Sequence, residues 1–364
     1  MSTFVHSKSI FLLGATGYVG GQVLLSLAVD CPSLPIRALV RNLSSRKITH
    51  LQSLHPKLEV VEGSLGDVAV LEAEAKKTDI VINVAAAGDM DSVNAILRGL
   101  KIRATGSLPP PIYIHMSGTG LLSDGSSGEF FAPQHIWVDT EFNGNTLKSP
   151  ELEGSLLRGA CEAIVQASKT SPLVRTMIVL PGLIYGVGPG IQKVSLPQRL
   201  FLSLASQAGH VGTIGPGRNV LGYVHIKDVA NAVSAVLGGA LEGKPIGEGD
   251  NGFYFVVSKY MVSMSGMCGI IGDVLLNQGL ISESKARPTP FSAQIVEKLG
   301  RFASVMSSSQ FCRSDRLVKE LGWSAKHTDS AEPGESFHES LPKEIKLGLE
   351  VLALGDAFKN TKAR

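Results

Sequence analysis

Gly14-Ala15-Thr16-Gly17-Tyr18-Val19-Gly20 decides how the rest of this chain is read. A short apolar run, Ile10-Phe11-Leu12-Leu13, precedes it. An amphipathic stretch, Gln22-Val23-Leu24-Leu25-Ser26-Leu27, follows it. Strand, glycine turn and helix in that order open a dinucleotide-binding βαβ unit. Gly14 permits the tight turn, Gly17 lets the backbone approach a pyrophosphate, and Gly20 lets the helix pack close to the strand. The first N–H groups of the helix then face the phosphate charge. The loop therefore predicts a ligand class before any other residue is considered.

Working outward, strand and helix patterns alternate through the first half. Strands are predicted at 9–13, 35–40, 58–62, 79–84, 111–116 and 174–180, with helices at 18–29, 68–77, 91–103 and 154–169. That alternation predicts an α/β fold: a Rossmann-like, doubly wound parallel sheet with helices on both faces. The runs Ile80-Val81-Ile82 and Ile112-Tyr113-Ile114 suit strands buried on both sides. Past residue 185 the texture changes to a glycine-rich loop at 186–190, a helix at 197–207, a strand at 223–225 and a helix at 228–238. The expected organisation is a nucleotide-binding domain over 1–185 and a smaller C-terminal substrate lobe over 186–325 that partly returns to the main sheet. A polar tail over 326–364 carries a possible helix near 342–354.

Bulk properties narrow the partners. The 364 residues are 44% hydrophobic and 18% charged, with a net charge of +2. This balance describes a soluble globular protein and supplies no reason for a nucleic-acid or anionic-membrane partner. Met261–Ile271 is apolar but too short to span a bilayer, so a buried helix is expected there. Cys31, Cys161, Cys268 and Cys312 are scattered, with no Cys-x-x-Cys and no zinc spacing. Free thiols in the cytoplasm, and no metal site, are the expectation.

The second strand continues Ile36-Arg37-Ala38-Leu39-Val40-Arg41. Arg41 stands about 20 residues past the glycine loop, where a carboxylate would grip a ribose 2′-hydroxyl. A guanidinium there suits a 2′-phosphate, so NADP(H) is expected rather than NAD(H).

With these pieces the chain resembles the extended and atypical short-chain dehydrogenase/reductases, the nucleotide-sugar-epimerase-like group. Glu62-Gly63-Ser64-Leu65 is similar to the family's Gly-Asp-Leu beside the adenine, with Ser64 in place of the aspartate. Asn83-Val84-Ala85-Ala86-Ala87 looks like the strand end beside the nicotinamide ribose. His115-Met116-Ser117-Gly118 matches the strand that carries the catalytic serine or threonine. Leu180-Pro181-Gly182-Leu183-Ile184-Tyr185-Gly186 is similar to the family's Arg-Pro-Gly-x-x-Tyr-Gly. Tyr223 to Ala230 and Leu321-Gly322-Trp323 match later landmarks. The Ser-Gly-Thr-Gly run from Ser117 also resembles epimerase-like proteins of fungi. The resemblance implies a cofactor site built from Gly14, Thr16, Gly17, Tyr18, Val19, Gly20, Arg41, Ser64, Leu65, Ala85, Ala86, Ala87, Pro181 and Ile184. It also implies a possible homodimer, since the family often pairs through helices flanking the substrate site.

The catalytic pattern departs from that family. Its Tyr-x-x-x-Lys pair would fall on Gly154 and Arg158, upstream of Glu162. Glycine offers no proton, and arginine does not shuttle one at neutral pH. The hydroxyl position falls on Gly118, flanked by Ser117 and Thr119. The literal Tyr223-x-x-x-Lys227 lies far past the expected helix and reads as packing at the lobe junction. Ser117, Thr119, Tyr185 and Arg158 are the remaining catalytic candidates. His115 reads as a half-buried histidine, and Asp124, Glu129, His135, Asp139 and Glu141 as a largely solvated loop.

The favoured activity is an NADP(H)-dependent reductase of a small organic carbonyl or enone. The alternative is a non-redox isomerase, lyase or cyclase with a structural or unused cofactor. A third option is a regulatory binder that senses the NADP(H) ratio.

Overall fold

The computed structural model describes residues 8–106, 109–330, 334–355 and 358. Its first half alternates strand and helix: β1 Ile10–Leu13, α1 Tyr18–Asp30, β2 Ile36–Val40, α2 Ser45–Leu54, β3 Glu59–Glu62, α3 Val68–Lys77, β4 Ile80–Asn83, α4 Met90–Ala104 and β5 Ile112–Met116. A short strand β6, Trp137–Val138, interrupts the long loop before α5, Arg158–Lys169, and β7, Arg175–Pro181. Then come β8 Leu183–Tyr185, α6 Leu196–Ala208, β9 Gly212–Thr213, β10 Val220–His225, α7 Ile226–Glu242, β11 Phe253–Val256, β12 Met261–Ser263 and α8 Met264–Asn277.

Seven of these strands form one parallel sheet in the order β3-β2-β1-β4-β5-β7-β11. This is the doubly wound, Rossmann-like α/β fold. The order reverses between β1 and β4, and at such a switch point the carboxyl ends of the strands open a ligand crevice. Alternate residues along each strand feed two cores. Ile10, Leu12, Ile80 and Ile82 face one helical layer, while Phe11, Leu13 and Val81 face the other. Burial on both sides is what a continuous apolar run requires.

A third core lies outside the sheet, among α6, α8 and the helix Phe337–Val351. Leu202, Met267, Cys268, Ile271, Phe337, Leu341 and Ile345 meet there. β8, β10 and β12 form a small sheet between this core and the main one. The helix expected near 342–354 begins earlier, at Phe337, and runs to Val351. Met261–Ile271 is not all helix, because its first three residues pair as β12 with β10.

Among the helices of the first half, α2 escapes the sequence pattern. In α2 Leu51 is the only buried residue, so the apolar period is too thin to see. The readable signal was Ser44, whose hydroxyl caps the helix by accepting from the Lys47 N–H at 3.4 Å. α5 is shorter than its predicted span. Gly154 lies outside it, at φ +81 in a turn, and the helix starts at Arg158.

Candidate active site

The crevice at the strand ends is a single cleft of about 1360 Å³. Ordinary small-ligand pockets run to roughly 1000 Å³, so a dinucleotide and a substrate fit together here. Its wall includes Gly14, Thr16, Gly17, Tyr18, Val19, Arg41, Ser64, Leu65, Ala85, Ala86, Ala87, Ser117, Thr119, Pro181 and Ile184. Gly20, Tyr185 and Arg158, also predicted, are not part of it.

The glycine loop has the shape a pyrophosphate needs. Gly14 sits at φ +94, which an L side chain rarely adopts, and a Cβ there would stand 3.0 Å from the Ala85 nitrogen. Gly20 works from behind: a Cβ would come within 1.9 Å of the Gly14 carbonyl oxygen. Its contribution is the close approach of α1 to the loop rather than a ligand contact. α1 starts without a side-chain cap and without an acidic residue in its first turn. Its first N–H groups thus lack both a capping acceptor and a competing carboxylate.

At the far end of β2, Arg41 is exposed on the cleft wall, and no carboxylate pairs with it among the described residues. Lys47 reaches back from α2, donating through Nζ to the Arg41 and Asn42 carbonyl oxygens at 2.7 and 2.8 Å. Ser64, also on the cleft wall, is engaged by its own turn. Its N–H and Oγ–H both donate to Asp67 Oδ2, at 2.6 and 2.8 Å. The Ser64 oxygen is therefore left to accept, polarised by a carboxylate one turn away.

A buried polar chain fixes the carboxyl ends of β4 and β5. Ala87 carbonyl oxygen can only accept, so His115 donates to it through Nε2–H at 3.0 Å. His115 Nδ1 must then accept from the Tyr113 hydroxyl at 3.1 Å, and that oxygen accepts from Asn83 Nδ2 at 3.3 Å. Asn83 Oδ1 takes the Ala85 N–H at 3.1 Å. Every proton in the chain runs one way, which orders the Ala85–Ala87 turn. Burial pushes the His115 pKa down to about 4, so the ring is neutral and serves as a brace. It is fully buried, not half-buried as its sequence context suggests.

Among the catalytic candidates the structure separates four cases. Ser117 lines the cleft, and its Oγ lies 3.6 Å from the Cys161 Sγ–H that donates to it. Among the described residues no acceptor takes the Ser117 hydroxyl proton. Thr119 also lines the cleft, but its hydroxyl donates to Gln310 Oε1 at 2.6 Å, with the Pro181 carbonyl oxygen at 3.3 Å. Tyr185 is corrected: its ring is fully buried against Tyr223, His225 and Phe337, and its hydroxyl donates to the Glu335 carbonyl oxygen at 3.1 Å. Burial there raises its pKa further above the usual phenol value. Arg158 is corrected as well, because its Nε pairs with Glu162 Oε1 at 2.7 Å, one turn along α5 and away from the cleft wall. Gly154 does face the cleft, with open space where a Cβ would project.

One further expectation changes. Asp139 is not solvated. It is fully buried, accepts from the N–H groups of Phe255, Asp315 and Arg316, and is pushed up to about 6 by desolvation. Tyr223 and His225 do pack at the junction. Tyr223 stacks 4.3 Å from Phe337, and His225 Nδ1 caps α7 by accepting from the Lys227 N–H at 3.3 Å.

Sequence reasoning missed the strap over residues 186–195. Tyr18 donates its hydroxyl proton to the Gly186 carbonyl oxygen at 2.6 Å, and the Gln192 N–H donates to the Thr16 carbonyl oxygen at 3.3 Å. The strap thus lies directly on the glycine loop. Glu344, from the helix Phe337–Val351, holds its two ends by accepting from the Gly186 N–H at 2.9 Å and the Ser195 N–H at 2.7 Å. Glu344 is fully buried, and desolvation pushes its carboxyl up to about 7.

The sequence pattern of the NAD dependent epimerase/dehydratase family matches residues 10–246. The chain belongs to that family. Among its relatives, an oxidase, ucsJ of Acremonium sp, is 30% identical over 287 residues, covering 76% of this chain and 81% of the relative. An oxidoreductase, aflX of Aspergillus parasiticus, is 35% identical over 122 residues, covering 30% of this chain and 45% of the relative. Among solved structures, dTDP-glucose 4,6-dehydratase of Bacillus anthracis in complex with NAD superposes with a TM-score of 0.62 at 14% identity, covering 96% of this chain and 99% of that one. UDP-glucose 4-epimerase of Thermotoga maritima with UDP-glucose gives 0.62 at 16% identity, covering 94% and 99%. These superpositions show the shared fold. Among the described residues no helix is long and apolar enough to cross a membrane.

Proposed function

We propose that this protein is an NADP(H)-dependent reductase of a small organic carbonyl or enone. The observation that carries this is one continuous cleft with an unpaired Arg41 at one end and Ser117, its hydroxyl proton unclaimed, further along. The cofactor, when bound, supplies the hydride. Gly14, Gly17 and the first N–H groups of α1 hold its pyrophosphate, Ser64 accepts from the adenine amine, and Arg41 meets the 2′-phosphate. Lys47 keeps the Arg41 turn in place. Asn83, Tyr113 and His115 set the Ala85–Ala87 turn against the nicotinamide ribose.

Ser117 takes the role the missing phenol leaves open. It donates a hydrogen bond to the substrate oxygen as negative charge builds there, with solvent in the open cleft as the proton's source. Thr119, its own proton engaged by Gln310, accepts from a substrate hydroxyl or amide.

The test follows deuterium from C4 of labelled NADPH. Transfer into product, with one NADPH consumed per product, is the expected result. Product formed with no label and no net NADPH loss would instead support an isomerase or lyase. Arg41→Asp is expected to weaken NADPH binding at least about tenfold, the loss of one charge-assisted contact, while NADH binding is unchanged or improved.

A further inference from the structure

The cleft carries a charge that nothing among the described residues balances. Arg199, on α6, lines the cleft. Its Nε is buried with no hydrogen-bond partner, and among the described residues no carboxylate pairs with the guanidinium. Desolvation lowers its pKa, with no neighbouring charge acting the other way. Just before α6, Ser195 also lines the cleft, nearly fully buried, its hydroxyl turned to the Glu344 carboxyl, whose ionised form it favours. Glu344 lies behind Ser195, engaged by its backbone N–H.

A buried donor left without an acceptor is costly, and more so when it is charged. Folding gains nothing from such a group; a ligand that brings the acceptor does. The other charged residues on the cleft wall are Arg41, Glu151, Glu153 and Arg301. Arg41 belongs to the cofactor end. Leu157, Leu221, Phe302, Val305 and Met306 give the wall apolar surface, beside the polar Ser304, Ser308 and Gln310.

Resting on the reading of this cleft as a reductase site, we propose that Arg199 anchors an oxyanion on the substrate. The substrate class is then an apolar organic acid, its carboxylate or phosphate ester on Arg199 and its body along the Leu157–Leu221–Val305 wall. Arg binds either oxyanion through two parallel N–H donors.

Calorimetric titration of the full chain, with and without saturating NADPH, tests this with 4-phenylbutyrate, its methyl ester and phenyl phosphate. At least one oxyanion should bind about tenfold or more tighter than the ester. Which of the two does so identifies the group. Arg199→Gln should abolish the difference, and Arg199→Lys should keep part of it. Equal binding of acid and ester, unchanged discrimination in Arg199→Gln, or no binding of any probe would overturn the proposal. Failure of NADPH itself to bind would sink the reductase reading, while the cofactor-free titrations still decide Arg199. Thermal unfolding supplies a second arm. Arg199→Met should raise the ligand-free Tm, because it removes an uncompensated cation. A clear fall would mean the arginine is structural, and the proposal would fail.

Discussion

At the scale of single residues, two hydroxyls that look equivalent in sequence are separated by what holds their protons. Ser117→Ala should lower kcat by about 100-fold or more, the usual cost of removing one donor to a developing oxyanion. NADPH affinity should be unchanged in that variant, which steady-state kinetics and a fluorescence titration check together. Tyr185→Phe should leave turnover intact, since the phenol donates to Glu335 inside a packed aromatic cluster. Its effect should be a stability loss of about 1 kcal/mol, read by urea denaturation. The sequence made Tyr185 attractive because it stands beside the Pro181–Gly182 turn. What it did not contain was the direction of the side chain. β8 pairs in register with β10, which places Tyr185 opposite His225 and in the third core. Arg41, Ser64 and the alanine turn were legible because they follow directly from strands whose ends the apolar runs mark.

At the scale of elements, the contact between α1 and the glycine loop is the most demanding. Gly20→Ala should push the helix away from the Gly14 carbonyl, costing about 1–3 kcal/mol as an overpacked contact. NADPH binding should weaken with it, while Gly154→Ala, which meets open space, should leave affinity unchanged despite its backbone strain. Parallel fluorescence titrations of the two variants check this. Six strands of the seven-stranded sheet were readable, most as the continuous apolar runs that burial on both faces leaves, while β11 was not. α2 was not, because a surface helix with one buried leucine has no apolar period. The start of α5 was placed early because residues 154–157 continue a plausible helical pattern, and only the positive φ at Gly154 breaks it.

At the scale of the whole molecule, Glu344 couples the third core to the cofactor loop, and its ionisation gives that coupling a pH dependence. Its folded pKa of about 7 lies above the ordinary 4.5. The folded state therefore holds a proton that the unfolded chain releases between those values. The stabilising contribution is complete below about pH 4.5 and lost as pH rises through about 7. Relative to Glu344→Gln, the wild type should lose on the order of 3 kcal/mol across that window. His115 and His225, both lowered to about 4, work in the opposite direction, so the comparison of paired variants rather than the raw curve isolates Glu344. Denaturation at pH 5 and pH 7.5 measures it. The carboxylate itself is legible in sequence, but its partners are not, because Gly186 lies 158 residues away. That separation also bears on anyone who trims the gene. The family pattern ends at residue 246, yet a fragment cut there would lack the buttress that pins both ends of the strap against Thr16 and Tyr18. Such a fragment should be a poor tool for cofactor studies or crystallisation, and a fusion partner is better attached before Ile10 than spliced between Gly186 and Val351.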